Sequence, residues 1–439
     1  MNSKYALFIS FISALGGYLF GFDFAVIAGA LPFLKQLFLL DPWWEGFLTG
    51  TLAIGCMLGC LIAGWLSEKI GRKPSLMISA LFFAASSLGM AFSNTLPVFL
   101  LMRFGAGIGV GMASMLSPMY IAEVSPAEMR GRNVSINQLT IVLGILITNL
   151  INYFLADLGP DAWRWMFGLG AVPSVLFLLG LWFLPESPRW LMLNNKADEA
   201  LVILKKIGGK SFAEKTQLSV EASLKTTEKN QSMFQKKFLP AIFVGVVLAV
   251  FQQFCGINVV FNYTSTLYES LGADLNRQLL ETIFIGIVNV IFTLVAMWQV
   301  DKLGRRPLML FGTLGLSVSY IIIAAVLQMQ LDPIILSVFV LIAIGIYSST
   351  IAPVTWVLIS EIFPNEIRGK ASSFAVLCLW GAYFILVFTF PILAKSLGTY
   401  GPFWLYAVIC LFGFWFIKAK VKETKGKTLE QMEDVFSPH

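Results

Sequence analysis

Long apolar runs, interrupted by short charged or proline- and glycine-bearing turns, recur along the whole chain. An apolar stretch of about 18 residues or more can cross a bilayer as a helix. The pattern predicts twelve spans, at 5–36, 44–67, 75–95, 97–122, 133–156, 163–184, 238–270, 278–300, 307–328, 334–360, 371–396 and 401–418. None shows the polar–apolar alternation of a transmembrane strand. The expected fold class is therefore an all-α polytopic membrane protein. No small-residue cleavage site follows the first run, so it is read as a span and not a leader. An even number of spans places both termini on one side of the membrane.

The turns repeat. EKIGRK at 68–73 returns as DKLGRR at 301–306, and EVSPAEMRG at 123–131 returns as EIFPNEIRG at 361–369. Glu186, after the sixth span, is matched more weakly by Glu423 after the twelfth. Near-equal offsets predict two pseudo-symmetric six-span bundles, at 1–184 and 238–420. A helical linker at 185–237 joins them, and a tail covers 421–439. Parallel repeats of this kind place a binding site near the bilayer midplane, between the halves. Within the linker, ADEALVILKKI and EKTQLSVEASLKTTEK have helical spacing and mixed charge. They read equally as a solvated connector or as a latch.

Composition supports the membrane reading: 57% of the 439 residues are hydrophobic and only 13% charged. Mean hydropathy is +0.78, whereas soluble domains are about 25% charged. The net charge is +6. If the N-terminus is cytoplasmic, 26 of the 31 Lys and Arg fall on the cytoplasmic side. Lys35, Arg164, Arg277 and Lys395 fall outside, and Arg103 lies within a span. That asymmetry orients the chain with both termini inside and removes any reason to invoke nucleic acid. The five cysteines all lie in apolar runs, so no disulfide framework is expected. Cys56 and Cys60 share a helix face but lack further ligands, which makes packing the better reading. The single histidine is His439, at the end. No metal or cofactor is expected, and no nucleophile–base–acid set points to an enzyme.

Charge inside the spans is the most informative feature. Asp23 stands in SALGGYLFGFDFAVIAG and Arg103 in FLLMRFGAGIGVG. An ionised group at membrane depth costs about 3 kcal/mol on insertion scales, so such residues mark function. A carboxylate beside a guanidinium can take up and release a proton. The GxGxG at 105–109, with Gly111, has no strand before it and reads as a close-packing helix face, not a nucleotide loop. Arg72 and Arg305 are expected to pair with Glu123 and Glu361, as ion pairs that close in one conformation and open in another. Gln252, Gln253, Asn258 and Asn262 put amides in one span; Gln138, Asn289, Trp356 and Trp380 add to them. Amides satisfy hydroxyls, and an indole face packs on a sugar ring, so the set suits a neutral polyhydroxylated solute.

GYLFGFD, the GRK and GRR turns, RFGAGIGVG, SPMYIAEVSPAEMRGR, PESPRWL, QQFCGIN and PVTWVLISEIFPNEIRGKA together resemble the sugar-porter family of the major facilitator superfamily, from about residue 12 to 430. Within it the chain is most similar to the bacterial proton-coupled, xylose-transporting members. The resemblance implies twelve helices in two bundles, alternating access and a central monosaccharide site. By motif position that site falls on Gln138, Gln252, Gln253, Asn258, Asn289, Trp356 and Trp380, with Phe20, Asn262, Tyr263 and Tyr383 as further candidates. Asp23 and Arg103 match the proton-coupling positions. Glu68, Arg130, Glu186, Arg189, Asp301 and Arg368 join the two Arg–Glu pairs as gating charges. The chain departs from the family at Asn262, where a second tyrosine is frequent, at Leu379, at Tyr383, where Asn is common, and at Ala352. The site is therefore reshaped, and the resemblance does not fix the sugar. The expected function is a proton–monosaccharide symporter, monomeric, in a bacterial cytoplasmic membrane. A facilitative uniporter, a non-transporting sugar sensor and a drug or organic-acid exporter are the alternatives.

Overall fold

A computed structural model describes residues 3–210, 212–214, 216–217, 233–364 and 367–425. Among them there is no strand, and twelve helical stretches are long and apolar enough to cross a membrane. The first five spans are single helices: α1 (Ser3–Phe38), α2 (Pro42–Ile70), α3 (Arg72–Ala91), α4 (Leu96–Val124) and α5 (Ala127–Leu155). The sixth is divided into α6 (Ala162–Gly168) and α7 (Ala171–Trp182). Two short helices follow, α8 (Pro188–Leu193) and α9 (Ala197–Gly208). α9 is the expected ADEALVILKKI helix; it buries Ala200, Leu204 and Ile207, one stripe at helical spacing. The second predicted linker segment lies almost wholly outside the described residues.

The seventh span, expected as one helix, is three: α10 (Leu239–Phe254), α11 (Ile257–Asn262) and α12 (Thr264–Glu269). Gly256, at φ 86°, supplies the left-handed residue that turns the chain between the first two. The last spans are α13 (Leu275–Leu303), α14 (Arg305–Gln328), α15 (Pro333–Ser349) with α16 (Ile351–Ile362), α17 (Arg368–Leu397) and α18 (Gly401–Lys420). Span ten breaks at Thr350 (φ −129°, ψ −83°). Pro353 explains the break, because it has no N–H to continue the helical ladder from Ser349.

The chain falls into two compact units. The first comprises Met1–Asp23, Ile54–Thr148 and Arg164–Asn230; the second comprises Phe24–Ala53, Asn149–Trp163 and Gln231–His439. In the first unit small residues set the helix spacing. A Cβ on Gly111 would lie 2.3 Å from the Cys56 carbonyl oxygen, so α2 and α4 touch backbone to backbone. A Cβ on Gly21 would lie 2.0 Å from the Ile141 oxygen, which sets α1 directly against α5. Asp23 follows Gly21 by two positions, about 200° round the helix. It therefore points away from α5, towards α4.

Candidate functional site

Asp23 is 1% exposed and Arg103 is fully buried. Arg103 Nη1 lies 3.8 Å from Asp23 Oδ2, an ion pair without a direct hydrogen bond. Neither carboxylate oxygen of Asp23 has a hydrogen-bond donor among the described residues. The guanidinium also lies 5.9 Å from the Phe167 ring centre. These are not the only buried charges. Glu45 and Glu281, 5% and 1% exposed, escape a reading of apolar runs because they sit at span ends. Glu45 faces Lys35 at 3.6 Å, and Lys35 also faces Glu269 at 3.7 Å. Glu281 pairs with Arg277 at 2.5 Å and accepts from Tyr268 and Ser337.

The amide cluster belongs to the second unit. Gln252 Nε2 donates to the Ala352 carbonyl at 3.2 Å, next to the break in span ten. Its Oε1 is buried with no donor among the described residues. Asn258 donates to Gln253 Oε1, and Asn262 donates to the Asn258 carbonyl at 2.6 Å. Tyr383 donates to Asn262 Oδ1 at 3.2 Å. Tyr263 donates to the Val387 carbonyl. Trp380, 4% exposed, sets its ring 5.8 Å from that of Tyr383. Asn289 accepts from Ser348 at 2.7 Å. Trp356 stands apart in burial, at 43% exposed. Gln138 and Phe20 are half-buried on α5 and α1 of the first unit.

Phe24 is the residue the sequence reading missed here. Its ring centre is 5.5 Å from Tyr383 and 5.9 Å from Phe261. One apolar residue among many in α1 gave no signal of this. Two asparagines of α5 were also missed: Asn149 donates to the Thr282 carbonyl at 2.6 Å and Asn152 to that of Ala25 at 3.3 Å.

The charged turns form two copies of one arrangement. In the first unit Arg72 grips Glu123 through Nε and Nη2, both at 3.0 Å. Ser187 donates to Glu123, and Glu186 accepts from the backbone N–H groups of Arg72, Lys73 and Ser187. In the second, Arg305 Nη2 reaches Glu361 at 3.2 Å and Thr424 donates to the same carboxylate at 2.6 Å. Glu423 accepts from the N–H groups of Arg305, Arg306, Thr424 and Lys425. Gly71 (φ 104°) and Gly304 (φ 91°) precede the capped helices. Each adopts a backbone that glycine favours, and a Cβ there would strike the capping glutamate at 2.2 and 2.8 Å. The two caps differ electrostatically. Burial pushes Glu186 above the ordinary carboxylate range, outweighing its donors. Burial acts on Glu423 in the same direction, but its four backbone donors bring it below that range.

Of the other gating candidates, Glu68 and Arg189 are exposed and enter no ion pair among the described residues. Arg368 donates to the Phe363 carbonyl. The side chains of Arg130 and Asp301 lie outside the described residues. No group of three or more His, Cys, Asp or Glu side chains suited to a metal is found among the described residues.

Sequence and structure comparisons agree. The family described as "Sugar (and other) transporter" matches residues 9–436. The D-xylose-proton symporter of Escherichia coli is 38% identical, covering all of this chain and 97% of its own. The arabinose-proton symporter of Bacillus subtilis is 37% identical over 98% of this chain and 95% of its own. The xylose transporter XylE of E. coli, solved in a partially occluded inward-open conformation, superposes with a TM-score of 0.88 at 36% identity, over 97% of this chain and all of that one. With twelve spans, duplicated charged turns and a family match over nearly its whole length, the chain belongs to the sugar transporter family.

Proposed function

We propose that the protein is a proton-coupled monosaccharide symporter working by alternating access, with Asp23 as the proton site. One observation carries the reading. Asp23 and Phe24 are consecutive on α1; the first is a buried carboxylate facing Arg103 with no hydrogen-bond donor among the described residues, and the second sets its ring 5.5 Å from that of Tyr383, tilted, beside the amide cluster. Protonation of Asp23 removes its negative charge, ends the attraction to Arg103 and frees α1 to shift. A shift of α1 acts on Phe24, then on Tyr383 and its partner Asn262. Gln252, Gln253, Asn258, Asn289 and Trp380 bind the sugar hydroxyls and ring, with Gln138 and Trp356 assigned from motif position. Relatives named for xylose and arabinose symport support a pentose or hexose as substrate.

In this reading the 1–184 and 238–420 bundles alternate while the Arg72–Glu123 and Arg305–Glu361 pairs hold one state. The basic turns face the cytoplasm, as the charge asymmetry dictates. The protein acts as a monomer in a bacterial inner membrane, without nucleic acid or cofactor. The test is uptake into proteoliposomes under an imposed pH gradient. Asp23→Asn should retain sugar counterflow and lose accumulation. Accumulation by that variant would refute the proton site; a wild type that only equilibrates sugar would favour the uniporter.

A further inference from the structure

At the ends of α13, α14 and α18 the second unit gathers cations that pair with no carboxylate among the described residues. Lys302 Nζ sits 3.7 Å from the Trp298 ring centre, and Lys418 Nζ sits 5.0 Å from that of Trp415. Arg306 Nη2 donates to the Lys418 carbonyl at 2.7 Å, and Lys425 Nζ to the Lys302 carbonyl at 2.6 Å. These bonds knit the ends of three spans into one patch. None of the ion pairs among the described residues involves Lys302, Arg306, Lys418 or Lys425. The neighbouring carboxylate, Glu423, directs its oxygens at backbone N–H groups.

Like charges held together repel, so the arrangement calls for an anion. Trp298 and Trp415, 63% and 61% exposed, indicate which. Exposed indoles at the ends of transmembrane helices sit at headgroup level, and basic pockets between such helices bind lipid head groups. We propose that Lys302, Arg306, Lys418 and Lys425 form a binding site for the phosphate of an anionic phospholipid, with Trp298 and Trp415 framing its acyl side.

The first unit supplies an internal comparison. Lys69 lies 4.9 Å from the Trp65 ring centre, and Lys73 Nζ donates to the Trp182 carbonyl at 2.9 Å. The repeat is the same in outline, but the carbonyl that Lys73 reaches belongs to Trp182 where Arg306 reaches that of Lys418, and Pro188, two residues past Glu186, stands where Lys425 follows Glu423. The first unit therefore lacks two of the four cations. Its site should be the weaker one.

The experiment uses the purified full chain in detergent, with lipid retention read by native mass spectrometry and unfolding by a thermal melt. Phosphatidylglycerol, phosphatidylcholine and inorganic phosphate are added in separate arms. The wild type should retain phosphatidylglycerol and melt higher in its presence, with no such shift from phosphatidylcholine or phosphate. Lys302→Gln/Lys418→Gln/Lys425→Gln should lose at least tenfold in retention and most of the shift. Lys302→Arg/Lys418→Arg/Lys425→Arg should keep both, which separates loss of charge from misfolding. Lys69→Gln should also keep both. Equal retention by the Gln variant, or an equal shift from phosphatidylcholine or from phosphate alone, would overturn the proposal.

Discussion

Glu186 and Glu423 cap matching helices, yet neutralising Glu423 should lower stability where neutralising Glu186 should not. In Glu423→Gln a single amide oxygen replaces two carboxylate oxygens that now take four N–H groups. If the amide oxygen keeps the Oε1 contacts, its NH2 faces the Arg306 N–H, donor against donor. The remaining bonds lose charge assistance. A hydrogen bond to a charged group contributes about 1.5–3 kcal/mol and one between neutral groups about 1. Allowing for the partial exposure of Glu423, the loss should be about 1–2 kcal/mol at pH 7. Glu186 differs, because its charge is disfavoured by burial. Glu186→Gln removes that cost and should leave stability at pH 7 unchanged or raised.

The pH dependence follows the same signs. Glu423, held below its ordinary value, stabilises the fold above that value and stops doing so as pH falls through the lowered one. Glu186, held above its ordinary value, binds its proton in the folded state first, so its contribution improves as pH falls through the raised value. Hydrogen exchange at Arg305 and Arg306, beside Arg72 and Lys73 as the internal control, reads both. Exchange at 305–306 should quicken about 5- to 30-fold in Glu423→Gln, and exchange at 72–73 should not quicken in Glu186→Gln. Equal destabilisation by the two variants at pH 7 would refute the reasoning.

Other substitutions test separate parts of the molecule. Gly21→Ala places a methyl 2.0 Å from the Ile141 oxygen; α1 must move off α5, at a cost of about 1–3 kcal/mol, seen as a lower melting temperature. Lys35→Gln leaves the buried Glu45 without its cation and should cost about 1–3 kcal/mol. It also removes the link to Glu269, so a cysteine placed at Gln36 should be labelled faster by a membrane-impermeant maleimide. Tyr383→Phe removes one bond to Asn262, worth about 1 kcal/mol. It should alter the ranking of pentoses against hexoses in a binding screen.

The helical spans were legible because span length and apolar run length are the same quantity. Asp23 and Arg103 were legible for a related reason: each is a lone charge in an apolar run. The Arg–Glu pairs could be read because both members recur. Phe24 could not be read, since a phenylalanine in an apolar helix carries no mark of which neighbour it meets. Nor could the breaks at Gly256 and Thr350, where one glycine and one proline act within longer apolar stretches. Glu45 and Glu281 were hidden by position, because a charge at a span end looks solvated until its tertiary partners are known.

The central claim is that sugar movement carries protons through Asp23. Its most direct measurement is the external pH of weakly buffered, unenergised proteoliposomes on addition of a pentose or hexose. The account predicts alkalinisation with the wild type and none with Asp23→Asn. A wild type that takes up sugar without moving the pH, or a variant that still alkalinises the medium, would contradict it.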